Sequence, residues 1–283
     1  MNKLSIDKRV QIISMLVEGM SLRATSRLAD CSINTVTKLL VAVGEACQKF
    51  HDETVVNVAS KRVQCDEIWS FVYSKEKNKP VNMEGAGDAW TWVGIDADTK
   101  LVIQWLVADR DADSAEDFMH RIAKRLRNRV QLTTDGFRPY LEAVTDAFGS
   151  WIDYAQLVKI YGKTGSGASA EKKYSPAECI GATKNVVSGN PNPGHISTSY
   201  IERQNLTMRM HMRRFTRLTN AFSKKLDNHC HAIALHFVYY NFVKQHKTLR
   251  VTPAMAAGIT KRFMSIEDIV KLADVPAEKK NSN

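Results

Sequence analysis

The chain contains no Cys-x-x-Cys pair, and its five cysteines, Cys31, Cys47, Cys65, Cys179 and Cys230, are odd in number and scattered. Neither a disulfide framework nor a thiolate zinc site is suggested by that spacing, and a reducing compartment fits it. No stretch approaches the ~18 uncharged apolar residues that span a bilayer. Met1-Asn2-Lys3-Leu4-Ser5 does not lead into an apolar signal segment. The expectation is a soluble, unexported, cytoplasmic protein. No internal repeat is visible. His229, His231 and His236 lie among apolar residues without a carboxylate at ligand spacing, so they read as packing or cap partners rather than metal ligands.

What the chain has is positive charge. Forty Lys and Arg stand against 30 Asp and Glu, a formal +10 with a pI near 9.3. That balance favours a polyanionic partner through counterion release from phosphates, and nucleic acid is the leading candidate. With 283 residues, 44% of them hydrophobic, there is material for one full-sized domain and a small appended one.

Residues 5 to 50 read as helices only. Ser5 can cap a first helix whose stripe is Ile6, Val10, Ile13, Leu16 and Val17, ending near Gly19. A second helix runs from Ser21 to about Ala29, and Asp30-Cys31-Ser32 turns into a third starting near Asn34. This is the layout of a helix-turn-helix, whose third helix enters the major groove. Asn34, Thr35, Thr37 and Lys38 at its start offer hydrogen-bonding groups and a cation to double-stranded DNA. The bland alternative is a helical bundle used for packing or dimerisation.

From about residue 61 the pattern turns to strands at Val63 to Val72, Trp90 to Asp96 and Leu101 to Val107, an antiparallel meander. Ser114 caps a helix with Phe118, Ile122 and Leu126 on one face. A fourth strand, Val130 to Thr133, ends at Thr134-Asp135-Gly136, and a helix from Pro139 to Phe148 precedes a fifth strand at Tyr154 to Ile160. Residues 162 to 196 are rich in Gly, Ser, Asn and Pro and read as a long loop. Two helical segments follow, Ser199 to Arg217 and Lys224 to Gln245, before a frayed tail at Glu278 to Asn283. Trp69, Trp90, Trp92 and Trp105 read as core rather than as base-stacking platforms.

Asp66 lies within the first strand, Asp135 just past the fourth, and Glu202 near the start of a helix after the loop. If the first and fourth strands are neighbours, these carboxylates can meet. Like charges at close range cannot all stay ionised without a counter-charge. Oxygen-only ligation suits Mg²⁺ or Mn²⁺, and two such ions about 3.5 to 4 Å apart can drive in-line attack at phosphorus. Taken singly, each acid is an ordinary strand-end, turn or first-turn helix residue. Strand alternation sends Glu67 to the face opposite Asp66.

The strings D-E-I-W-S-F-V at 66 to 72, T-D-G-F-R-P-Y at 134 to 140 and S-Y-I-E-R-Q-N at 199 to 205 resemble DDE transposases of the insertion sequence one family. Y-Y-N-F-V-K-Q-H-K-T-L-R-V-T-P-A, from Tyr239 to Ala254, is similar to a C-terminal signature of bacterial transposases. The resemblance covers roughly residues 60 to 260. It implies an α/β chain with an RNase H-like catalytic domain, a five-stranded mixed sheet flanked by helices, with Asp66, Asp135 and Glu202 as catalytic and metal-binding residues. The expected organisation is a helix-turn-helix domain at 1–55, a catalytic domain at 56–260 with a loop-rich insertion at about 162–196, and a C-terminal helix and tail at 261–283. The implied function is that of a bacterial, nucleoid-associated transposase that binds terminal inverted repeats and target DNA as a homodimer or higher oligomer, and cleaves and joins strands. A purely hydrolytic nuclease or resolvase, or a helix-turn-helix regulator, are the alternatives. The N-terminal cysteine zinc motif common in that family's best-known members is absent, so the helix-turn-helix must carry recognition alone.

Arg203, Arg209, Arg213, Arg214, Arg217, Lys224 and Lys225 crowd the segment around Glu202, the five arginines as candidate DNA contacts, and Asn205 lies about one turn past it as a candidate phosphate contact or a partner of the acids. On one continuous helix, Arg209 and Arg213 would share the face of Glu202 and hold DNA phosphates, with His211 as an isolated further candidate. A merely solvated cationic face is the alternative.

Overall fold

The computed structural model describes residues 4–162, 179–216 and 220–275. Three helices open the chain, α1 (Ile6–Val17), α2 (Leu22–Leu28) and α3 (Ile33–Thr54). Ser5, Ser21 and Ser32 cap them, each accepting from a backbone amide of the first turn. Gly19 turns the chain after α1 at φ +86°. It also lies against the backbone of His211, whose carbonyl oxygen would be 2.7 Å from an added Cβ.

The sheet follows: β1 (Arg62–Val72), β2 (Gly87–Asp96), β3 (Val102–Ala108), then α4 (Ala112–Arg125), β4 (Gln131–Thr134), α5 (Tyr140–Phe148), β5 (Asp153–Tyr161) and β6 (Cys179–Ser188). Its order is β3-β2-β1-β4-β5-β6. β1, β2 and β3 form the expected antiparallel meander, β4 and β5 run parallel to β1, and β6 returns antiparallel to β5. The first and fourth strands are neighbours, as the carboxylate argument required. After the sheet come α6 (Ser199–His211), α7 (Leu226–Val238) and α8 (Ile266–Leu272).

Four expectations are corrected. A sixth strand, β6, occupies part of the stretch read as loop, while its Gly165-Ser166-Gly167 punctuation lies outside the described residues. The cap of α4 is Asp111, whose side chain accepts from the Ser114 amide at 2.9 Å, so Ser114 is already helical. The basic helix stops at His211, because Met212 is extended at φ −133° and Arg213–Phe215 form a separate turn. The last long helix ends at Val238 and loosens into a π-helical turn at Tyr239–Val243. That turn directs the fully buried Asn241 at β3, where its amide accepts from the Val102 nitrogen at 3.0 Å and donates to the Val102 carbonyl at 2.8 Å.

One apolar core joins the helices to the sheet. The start of α3 closes a small cluster of Ile12, Ala29 and Val36, while Leu40, Val43 and Cys47 further along it enter the main core with Trp105 and Phe237. Gly44 lets α3 approach α7 so closely that an added Cβ would lie 2.5 Å from the His231 carbonyl oxygen. Arg125 of α4 donates to the carbonyls of His51 and Val55, and Arg9 of α1 pairs with Asp274 at 2.7 Å. Among the described residues no helix is long and apolar enough to cross a membrane.

Candidate metal centre

The register of the parallel pair builds the site. Cys65 lies opposite Thr134 as the last matched position of β1 and β4, so the next residues, Asp66 and Asp135, leave the ladder side by side. Asp66 is held by its neighbours: Oδ1 accepts from the Glu67 amide at 2.9 Å, and Oδ2 accepts from Asn205 Nδ2 of α6 at 2.9 Å. Asp135 Oδ1 accepts from the Phe137 amide at 3.0 Å, a local turn that fixes the carboxylate at the strand end.

Glu67 points from β1 toward α5, as alternation requires, where Tyr140 donates to its Oε1. Its carboxylate nonetheless reaches back around the sheet end. Oxygens of Asp66, Glu67 and Asp135 all lie within 4.8 Å of one another. Alternation fixes where a Cβ points, not how far a glutamate reaches. Arg110, in the connection from β3 to α4, donates to Glu67 Oε2 at 3.0 Å and lies 3.8 Å from Asp135 Oδ2.

Glu202 is set by a residue that pattern reading missed. Gln64, on the face of Asp66, accepts the Tyr200 and Ile201 amides at 2.9 and 3.1 Å and so pins the first turn of α6. Helix N-termini leave amides unpaired, and here a glutamine from the neighbouring strand satisfies two of them. Thr198 donates to Glu202 Oε1, and Lys159 of β5 pairs with Oε2 at 2.7 Å. Glu202 therefore lines the same cleft as Asp66 and Asp135, without joining the tight group of three carboxylates. The open cleft, about 950 Å³, is also lined by Asn205, Arg209, Arg138 and Lys159.

The electrostatics are those of crowded acids. Burial, then the charges of Glu67, Asp135 and Glu202, push the Asp66 carboxyl up to about 8. Burial and Asp135 raise Glu67 to about 7 against the opposing pull of Tyr140 and Arg110. Arg110 and Lys159 pair with Glu67 and Glu202, but burial and the repulsion among Asp66, Glu67 and Asp135 still outweigh them at Asp66.

The remaining candidates separate by environment. Asn34 and Lys38 are exposed at the start of α3. The Thr35 hydroxyl is shared with Ser32 at 2.9 Å, and that of Thr37 donates to the Ile33 carbonyl, so both are engaged within the helix. Arg203 is exposed on α6, and Arg209 lines the cleft. Arg213 is exposed but lies beyond the end of α6, so it does not share a helical face with Glu202. Arg214 turns inward to Ser223 Oγ at 2.7 Å and the Asn228 carbonyl, and burial lowers its guanidinium to about 10. Arg217 lies outside the described residues. His211 lies 2.6 Å from Lys244 Nζ. His229 is buried between Ser70 and Ser223, a packing partner as expected. Trp92 and Trp105 are core, whereas Trp69 and Trp90 are half-buried beneath Lys75 and Arg110.

No family model matches the sequence, and no curated protein matches it. Among solved structures it is similar to the Mos1 transposase paired-end complex with left transposon end, at 12% identity over 54% of this chain and 60% of that one, with a TM-score of 0.25. It is also similar to the piggyBac transposase synaptic complex with hairpin DNA, at 10% identity over 96% and 71% of the chains and a TM-score of 0.41. The Mos1 strand transfer complex matches at 11% identity over 84% and 76%, with a TM-score of 0.25. The chain spans about 60% of the length of the first Mos1 chains it matches. At such TM-scores the architecture rests on the strand order and register alone.

Proposed function

We propose that this chain is a DDE-type DNA transposase with an RNase H-like catalytic domain, and that Asp66, Asp135 and Glu202 are its catalytic acids. The observation that carries this is the β1–β4 register, which sets Asp66 and Asp135 side by side beneath a helix whose Glu202 faces the same cleft. The basic composition and the cations lining the cleft fit a phosphodiester substrate.

The donor set fits a hard divalent cation. It is made of carboxylate oxygens only, it is partly buried, and its acids repel one another. Asp66, Asp135 and Glu202 would hold Mg²⁺ or Mn²⁺, in our reading two ions. Bound there, the metal would supply activation of a water or 3′-hydroxyl and stabilisation of the leaving oxygen. The chain's own groups do the positioning: Asn205 and the Glu67 amide orient Asp66, the Phe137 amide orients Asp135, and Gln64 with Thr198 orients Glu202. Arg209 lies at the cleft wall, where a guanidinium can take phosphate oxygens.

In the finer form of the proposal the element is a bacterial insertion sequence. The three N-terminal helices read its terminal inverted repeats through Asn34 and Lys38, and the protein works as a dimer or larger assembly. The experiment is incubation of the protein and Mg²⁺ or Mn²⁺ with labelled duplexes bearing the element's ends and a target plasmid. Joined products are expected, and they should vanish in Asp66→Ala, Asp135→Ala and Glu202→Ala while duplex binding persists. Free ends without joining would favour a nuclease that only hydrolyses. Full cleavage by any one variant would remove that residue from the site.

A further inference from the structure

Arg110 is a permanent cation set among acids whose proposed ligand is itself a cation. Its position is set by its surroundings. Trp92 Nε1 donates to the Asp109 carbonyl at 3.1 Å, which fixes the turn before α4. The guanidinium carbon lies 3.8 Å from the Phe137 ring centre and 5.2 Å from that of Trp90. Two carboxylates compete for this group. Nε makes a hydrogen bond of 3.0 Å to Glu67, whereas the 3.8 Å separation from Asp135 is a charge contact without a hydrogen bond.

A guanidinium seated on both oxygens of Asp135 would occupy the lone pairs that a metal needs. Here the guanidinium gives its hydrogen bond to Glu67 instead. Its side chain is 1% exposed and both its oxygens are engaged, Oε1 by the Tyr140 hydroxyl and Oε2 by Arg110. A glutamate this enclosed and paired to a guanidinium is a good anchor for it, whereas Asp135, with its side chain 38% exposed, is open to the cleft. We infer that Glu67 is a positioning residue: it holds Arg110 against the aromatic wall, and so keeps the Asp135 carboxylate open to a divalent cation. The inference rests on the metal-centre proposal above and adds a role for two side chains, those of Glu67 and Arg110, that the proposal leaves without one.

The test is Mn²⁺ titration of the full chain followed by electron paramagnetic resonance, in wild type, Glu67→Gln, Arg110→Gln, the double variant and Asp135→Asn. Glu67→Gln should weaken Mn²⁺ binding by about tenfold or more, the usual scale for losing a group that orients a ligand. Arg110→Gln alone should bind at least as tightly as wild type, because the competing cation is gone. The double variant should recover most of what Glu67→Gln loses. Loss in Glu67→Gln with no recovery in the double variant would make Glu67 a direct ligand and overturn the inference. So would unchanged binding in Glu67→Gln, or weakened binding in Arg110→Gln. Equal binding in wild type and Asp135→Asn would instead sink the metal-centre proposal, and the inference with it.

Discussion

Gln64→Met gives the sharpest test of how Glu202 is placed. Gln64 is 3% exposed and accepts two amide hydrogens, those of Tyr200 and Ile201. Methionine keeps the length of the side chain but cannot accept them, so little cavity opens and the cost falls on unpaired donors. A buried donor left without a partner costs about 1–3 kcal/mol. The Ile201 amide is buried and that of Tyr200 only partly so, and a combined loss of about 2–3 kcal/mol is expected. At about 1.4 kcal/mol per decade this should speed hydrogen exchange of the two amides by about 30- to 150-fold, with smaller changes in the sheet. A shift of about 1 Å in the first turn of α6 can cost about a hundredfold in rate, so cleavage should fall while duplex binding holds. Gln64→Glu retains the acceptor and should keep both amides protected. The measurements are amide exchange by mass spectrometry and single-turnover cleavage. Unaltered exchange at Tyr200 and Ile201 in Gln64→Met would refute the assignment of Gln64 as the pin of this helix.

Four further outcomes are expected. Arg209→Ala should weaken binding to end and scrambled duplexes alike and flatten the dependence of log affinity on log salt by about one unit; an unchanged slope removes it from the phosphate contacts. Arg214→Ala, by contrast, should lower the urea midpoint and leave that slope alone, because its guanidinium is bound to Ser223 and Asn228. The Asp66 carboxyl is raised to about 8 in the fold, so the folded state favours its neutral form. The stability this contributes is complete below the ordinary carboxylate range and is lost as pH rises toward 8; melting in EDTA should fall from pH 5 to pH 8 and Mn²⁺ should restore it, whereas a flat profile would contradict the crowding described. Asn34→Ala with Lys38→Ala should reduce the preference for end sequence over scrambled duplex in competition binding; an intact preference would move recognition elsewhere.

Asp66 and Asp135 were legible because strand propensity and the Thr-Asp-Gly turn mark where each strand runs or stops, and the parallel neighbour relation then follows from one topological assumption. The start of α1 was legible through its cap Ser5, and the starts of α2 and α3 to within a residue, although Ser21 and Ser32 cap those helices rather than lying in the helix or the turn before it. β6 was not, since most of its side chains are exposed on both faces and therefore carry no period-two contrast between polar and apolar positions. Nor was the end of α6, where Met212-Arg213-Arg214 contains no Gly or Pro to signal a break. Arg214 shows why counting charge misleads: an arginine in a basic string can be spent on internal carbonyls and hydroxyls. Gln64 and Arg110 escaped because their partners are distant in sequence, and neither belongs to a pattern that a single chain displays.

The contact between Asn241 and Val102 bears on how the edge of the sheet is protected. β3 is an outer strand of the sheet, and its first residue would otherwise present a free amide and carbonyl. Asn241 offers a donor and an acceptor to those two groups, as a neighbouring strand would, while His51 Nε2 lies 3.2 Å from the same carbonyl. Outer strands with free backbone groups are templates for aggregation, and a side chain that imitates a neighbour removes the template where it would start. The opposite outer strand, β6, has mostly exposed side chains, with Ile180 66% exposed. The two borders therefore differ: the first residue of β3 has its backbone groups satisfied from within by the turn after α7, whereas among the described residues β6 presents most of its side chains to solvent.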